Sequence, residues 1–144
     1  ELPLDMDAPV CHISAFEAQA FARWVRKHLP SEAQWEVAAS AQPAAGNFAN
    51  SGALRPVAAF TDAQTPLRQL YGDVWEWTSS EFAPYPQRGR SGPAPRLLDA
   101  SVRLVQRGGS CATPMGALRA STRRAAAPHQ RQHFSGLRLA EDRS

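Results

Sequence analysis

Two tryptophans flank a glutamate in the stretch Leu70-Tyr71-Gly72-Asp73-Val74-Trp75-Glu76-Trp77-Thr78. The chain has only four tryptophans, so half of its bulkiest side chains fall at this one place. Trp75 and Trp77 alternate with Val74, Glu76 and Thr78, the period of two that marks a half-buried strand. Glu76 then shares a face with Val74 and Thr78, inside an apolar element. A carboxylate in such a place requires a cation, backbone N–H groups or a metal. Gly72, just ahead, predicts a tight turn or a close backbone approach. The plainest reading of these residues is a core strand whose glutamate caps a neighbouring loop.

The 144 residues suit one domain with a real core. The sequence shows no apolar run long enough to span a membrane and no signal-peptide pattern. The expectation is a cytoplasmic protein with reduced thiols. The opening Glu1-Leu2-Pro3-Leu4-Asp5 has neither an initiator methionine nor a helix start, so a fragment of a longer chain is expected. Net charge is +3, carried by one lysine, Lys27, and fifteen arginines, eleven of them after residue 87. These arginines lack interleaved aromatic residues and any nucleic-acid motif, which argues against nucleic acid as the partner. An anionic small molecule is a better use for a few of them. Cys11 and Cys111 leave one disulfide open, and with no Cys-x-x-Cys a thiolate zinc site is not expected.

Ser14-Ala15-Phe16-Glu17 and Ser31-Glu32-Ala33-Gln34 are both capping boxes. The first opens a helix predicted to run to about His28, with Phe16, Ala20 and Trp24 on its core stripe and Phe21 and Val25 beside it. The second opens a helix to about Ala39 with Trp35 facing inward. Turn-rich sequence follows from Ser40 to Pro66, with a short strand predicted at Val57–Phe60. After the tryptophan strand, residues 83–95 hold four prolines and two glycines and predict a long loop. Further strands are predicted at Ser101–Arg107, Leu118–Arg123 and Gly136–Ala140, with an abrupt turn at Gly108-Gly109. The fold class is α+β with little regular structure.

Gly72-Asp73-Val74-Trp75-Glu76-Trp77 resembles the signature of the formylglycine-generating-enzyme/sulfatase-modifying family. Pro9-Val10-Cys11-His12-Ile13-Ser14, Leu29-Pro30-Ser31-Glu32-Ala33-Gln34-Trp35-Glu36, Arg107-Gly108-Gly109-Ser110 and Phe134-Ser135-Gly136-Leu137-Arg138-Leu139-Ala140 resemble it in the same order. The first and last blocks look most like the C-terminal domain of ergothioneine-biosynthesis sulfoxide synthases and of the paralogous selenoneine synthases. The resemblance implies a C-type-lectin-like fold for residues 1–144.

It also implies several sites. A family calcium site resembles Gln69, Gly72, Val74 and Glu76, an oxygen set suited to a hard cation. The copper site of true formylglycine-generating enzymes needs two neighbouring thiols, and here Cys111 stands alone with Met115 and Gly116 beyond it. In the synthase branch, iron(II) is held by histidines of a separate N-terminal helical domain, whose His-x-x-x-His-x-Glu pattern is absent from this sequence. His12, His28, His129 and His133 make no convincing ligand set.

The branch's substrate loop carries Tyr-x-x-Tyr-Pro, whose first tyrosine is the proton donor. Here Phe82 takes that position, without a proton to give, and Tyr85 matches the second tyrosine. Where some members carry Asn-Trp-Asp, this chain has alanines after Arg124, implying a roomier and more cationic pocket. Arg123, Arg124 and Arg131 are candidates to hold an anionic donor, with Gln132 and His133 as polar contacts.

The expected function is the substrate-binding domain of an iron- and O2-dependent synthase. It would join a thiol or selenosugar donor to the imidazole of hercynine, and be inactive as an isolated chain. The alternative is a lectin-like binding module of the same family. A formylglycine-generating oxidase ranks below both.

Overall fold

The computed structural model describes residues 5–59, 67–84 and 101–142. Two helices, α1 (Ala15–Trp24) and α2 (Glu32–Ser40), precede four strands, β1 (Trp75–Glu81), β2 (Leu104–Arg107), β3 (Arg124–Ala126) and β4 (Ser135–Leu137). The strands form one sheet in the order β3-β2-β1-β4. β1 and β3 run antiparallel to β2, while β4 lies parallel to β1. The α+β class expected from the sequence is the one observed.

Both capping boxes form. Ser14 accepts from the Glu17 amide and Glu17 reaches back to the Ser14 amide; Ser31 and Gln34 do the same. These contacts satisfy N–H groups that a helix start otherwise leaves unpaired. α1 is shorter than predicted. Arg26 adopts a left-handed φ of 57°, and the chain turns so that His28 pairs with Ala140.

Register fixes what each face carries, because paired residues on neighbouring strands point to the same side. Arg124 pairs with Gln106, Gln106 with Trp77, and Trp77 with Leu137. Trp77 on this face packs with Ala15, Ala18 and Ala22 of α1, and with Leu104 and Ala126. Its indole N–H donates to the Ile13 carbonyl at 2.9 Å. The opposite face meets α2 and a second cluster of Trp35, Ala39, Phe48, Leu70, Tyr71 and Leu118.

The core stripe of α1 differs from the sequence expectation. Ala15, Ala18 and Ala22 face inward, while Phe16, Phe21 and Trp24 are exposed, Trp24 at 78%. Small side chains win because the helix seats directly against the Trp77 indole, where a larger residue would overfill a close-packed interior.

The strand expected at Leu118–Arg123 lies instead at Arg124–Ala126. Upstream, the Ala120 and Thr122 carbonyls accept from the Arg107 guanidinium, at 2.7 and 3.3 Å, instead of joining a ladder. Val57–Ala59 is likewise not a strand. There the Asp73 carboxylate accepts from the Val57 N–H and the Gln69 amide donates to the Val57 carbonyl. Phe60 lies outside the described residues.

Gly72 and Gly108 meet where two loops cross. Their φ values are 82° and 93°, and the Gly72 N–H donates to the Gly108 carbonyl at 2.8 Å. A Cβ on Gly72 would lie 2.5 Å from the Asn47 carbonyl oxygen. The close approach predicted for Gly72 is therefore present.

Glu76 is 3% exposed. Its carboxylate accepts two hydrogen bonds from Arg138, at 2.8 and 3.0 Å, and one from the Trp35 indole at 2.7 Å. Of the partners open to a buried carboxylate, the structure supplies a cation. Beside this triad, Arg107 is fully buried and paired with Glu32 and Glu36. A buried pair adds little over an apolar equivalent, but breaking one strands a charge at a cost of about 3–5 kcal/mol. Arg138→Met should therefore lower unfolding free energy by about 3 kcal/mol, measured by urea denaturation. A loss below about 1 kcal/mol would mean that the pair is effectively solvated.

Candidate ligand site

The residues proposed from sequence to hold substrate divide between the two sides of the sheet. Arg123 points to the α2 side. Its guanidinium binds both Glu32 oxygens and lies over the Phe82 ring, 4.5 Å from the centroid. Glu32 thus offsets the charge that Arg123 was expected to present to an anion. Phe82 is 41% exposed, and its backbone N–H donates to the Arg103 carbonyl. Tyr85 lies outside the described residues.

Arg124, the cross-strand neighbour of Gln106 on the α1 face, is different. Its guanidinium sits over the Trp75 indole at 5.6 Å, and among the described residues it has no ion-pair partner. Burial without a counter-charge pulls its pKa below the ordinary value, although a guanidinium keeps its charge at physiological pH. Trp75 is half-buried at the margin of the second core cluster, which leaves the stacked pair partly open.

His133 lies two residues before β4, and its ring is 6.5 Å from that of Trp77. Its Nε2 is 3.1 Å from the Gln106 Oε1. Burial lowers its pKa, with repulsion from Arg124 and His12 adding to the effect. The imidazole is therefore neutral at pH 7. Gln106 is fully buried, and its Nε2 has no hydrogen-bond partner. His12, with a left-handed φ of 60°, packs against Phe134 with the rings tilted and their centroids 4.9 Å apart.

Arg131 and Gln132 are peripheral. The exposed Arg131 guanidinium pairs with Glu17 of α1 at 3.1 Å, and the Gln132 side chain accepts from the Arg131 backbone N–H. The alanines have a different role from the one expected. Ala126 and Ala127 are buried, at 2% and 3%, and only Ala125 reaches the surface. Two of the three fill the core instead of widening a pocket.

The sequence reading missed Gln106. Its signal was a polar residue at an inward position of a strand with apolar neighbours, Leu104 and Val105, both fully buried.

The calcium set does not fit a cation as arranged. Both Glu76 oxygens accept from Arg138, so a calcium ion would have to sit beside that guanidinium. The Gln69 amide donates to the Val57 carbonyl and to Asp73. Gly72 and Val74 remain in the turn leading into β1, and Gln69, Val74, Glu76 and Arg138 line one cleft of about 630 Å³. Iron has no candidate ligand set here either: among the described residues no three His, Cys, Asp or Glu side chains converge. Burial raises the pKa of the Cys111 thiol, with Asp73 and Cys11 contributing.

The sulfatase-modifying factor enzyme 1-like domain matches residues 3–143 of the chain. A hercynine oxygenase of Mycolicibacterium smegmatis is 38% identical over 94% of this chain and 38% of its own length. A formylglycine-generating enzyme of Mycobacterium tuberculosis is 34% identical over 54% of this chain and 35% of its own. Among solved structures, PvdO from Pseudomonas aeruginosa superimposes with a TM-score of 0.76 at 19% identity, covering 96% of this chain and 63% of its own. The chain thus spans little more than a third of the length of these curated relatives.

The His133 environment gives a direct test of the site's electrostatics. Arg124→Gln removes a positive neighbour and should raise the His133 pKa toward 6.5, read from the imidazole proton shifts in an NMR titration. An unchanged pKa would place Arg124 too far away to act. The same lowered pKa makes the unfolded chain bind this proton more tightly, so His133 contributes a loss of stability as pH falls below about 6.5.

Proposed function

The chain belongs to the sulfatase-modifying factor enzyme 1-like family, and on that premise we propose that it is the substrate-binding domain of an iron- and O2-dependent synthase acting on hercynine. The observation that carries this reading is identity of 38% to a hercynine oxygenase across 94% of the chain. The formylglycine-generating relative aligns with only 54% of it. The reaction proposed is formation of a carbon–sulfur or carbon–selenium bond on the imidazole.

Iron, when bound, supplies the oxygen-activating chemistry of this class. On this reading its ligands come from a helical domain outside these residues. The work left to this chain is binding and orientation. Arg124 over Trp75 offers a cation with no ion-pair partner among the described residues, suited to an anionic group of a substrate. His133, held by Gln106 and with its pKa lowered by burial, presents a neutral ring to a bound ligand. Arg123, balanced by Glu32, braces α2 against the Phe82 end of β1.

Phe82 favours a second reading. It stands where the synthase branch carries its donor tyrosine, and a phenyl ring cannot donate a proton. A binding module that keeps ligand recognition without turnover is compatible with that replacement.

The two readings separate in one assay. The full-length protein, reconstituted with iron(II) under O2, should convert hercynine with a thiol or a selenosugar donor into a product of increased mass, detected by mass spectrometry. The 144-residue chain alone should give none. Tight hercynine binding by the full-length protein with no product from any donor would favour the binding module. Failure to bind hercynine at all would contradict both.

A further inference from the structure

Helix α1 is apolar on two opposite sides. Ala15, Ala18 and Ala22 are buried against the sheet. Phe16, Ala20 and Trp24 recur every four residues on the other side, and Phe21 lies beside Trp24 with the ring centroids 5.8 Å apart. All four are exposed, the aromatic rings at 42% for Phe16, 43% for Phe21 and 78% for Trp24. Glu17, at the margin of this stripe, already has its charge matched by Arg131. Isolated apolar residues are ordinary on a protein surface. An aromatic stripe at helical spacing, turned away from the core, is not: a helix apolar on both sides is one that packs on both sides.

We propose that the outward stripe of α1 is an intramolecular docking face, covered in the intact protein by an apolar segment of the same polypeptide upstream of Glu1. Two observations favour this occupant over a second copy of the chain. The first is area. Aromatic side chains offer about 150–250 Å² each, so the exposed fractions of Phe16, Phe21 and Trp24 amount to roughly 300 Å². A stable dimer buries about 800 Å² on each partner. A ten-residue helix, about 15 Å long, falls short of that by itself. A segment tethered to the same chain loses no translational freedom on docking, so a small patch suffices. The second is length. The chain spans only 38%, 37% and 36% of three hercynine oxygenases to which it is similar, so more than half of each of those proteins lies outside the stretch matched here. The upstream direction rests on the proposed function, in which the iron-holding domain is N-terminal.

Photo-cross-linking in the full-length protein tests the docking face. With p-benzoylphenylalanine in place of Trp24, irradiation should join α1 to a peptide upstream of Glu1 in the same chain, identified by mass spectrometry at monomer mass. A cross-link at dimer mass, one to a residue within the 144, one to a downstream segment, or none at all would overturn the proposal.

Hydroxyl-radical footprinting supplies a measurement on the unsubstituted full-length protein. Relative to the urea-unfolded protein, Trp24 and Phe21 should lose most of their reactivity, whereas Met115, 66% exposed, should keep its own. Trp24 as reactive as Met115 in the native protein would contradict a covered face. Neither measurement needs iron or substrate. An upstream cross-link in a protein that leaves hercynine unchanged would keep the docking face and discard the oxygenase reading. Turnover of hercynine by a protein whose Trp24 stays open would do the reverse.

Discussion

The hydrogen-bonded triad of Glu76, Arg138 and Trp35 joins three parts of the chain that are far apart in sequence. Glu76 comes from the central strand, Trp35 from α2, and Arg138 follows directly on the edge strand β4. A charge enclosed at this depth admits few arrangements, because each carboxylate oxygen must find a donor. Satisfying it fixes β4 parallel to β1 and seats α2 on one face of the sheet. Arg107, with its two glutamates from α2, repeats the device one strand over. The α2 face is therefore held by charge pairs around aromatic rings, whereas the α1 face is held by alanines against one tryptophan.

That asymmetry locates the candidate site. On the α2 face, arginines are matched: Arg107 by Glu32 and Glu36, Arg123 by Glu32, and Arg138 by Glu76. Arg124, in register with Gln106 and Trp77, has a tryptophan beneath it and no carboxylate partner among the described residues. An arginine count alone treats these positions as equal. Strand register separates them, since it sends Arg123 and Arg124 to opposite sides of the sheet.

Much of this organisation was legible in the sequence. The two capping boxes are local chemistry, and both helix starts appear where Ser14 and Ser31 place them. The alternation around Glu76 gave the central strand and its need for a partner. Three features were not legible, for physical reasons. The inward stripe of α1 was set by how closely the helix approaches Trp77, and hydrophobicity scales reward large residues over small ones. The position of β3 was set by Arg107, whose guanidinium draws the Ala120 and Thr122 carbonyls out of a strand. The Glu76 partner was set by a residue 62 positions away, and spacing along the chain says nothing about contacts of that range. The same limit hid Gln106, whose meaning depends on His133 and Arg124 being brought beside it.

The central proposal is that these residues serve an iron enzyme whose metal is held elsewhere in the protein. The most direct measurement is the metal content of the full-length protein, purified anaerobically under mild conditions. Stoichiometric iron with no copper is the predicted result. Copper at the level of the two cysteines, or calcium with neither iron nor copper, would contradict it.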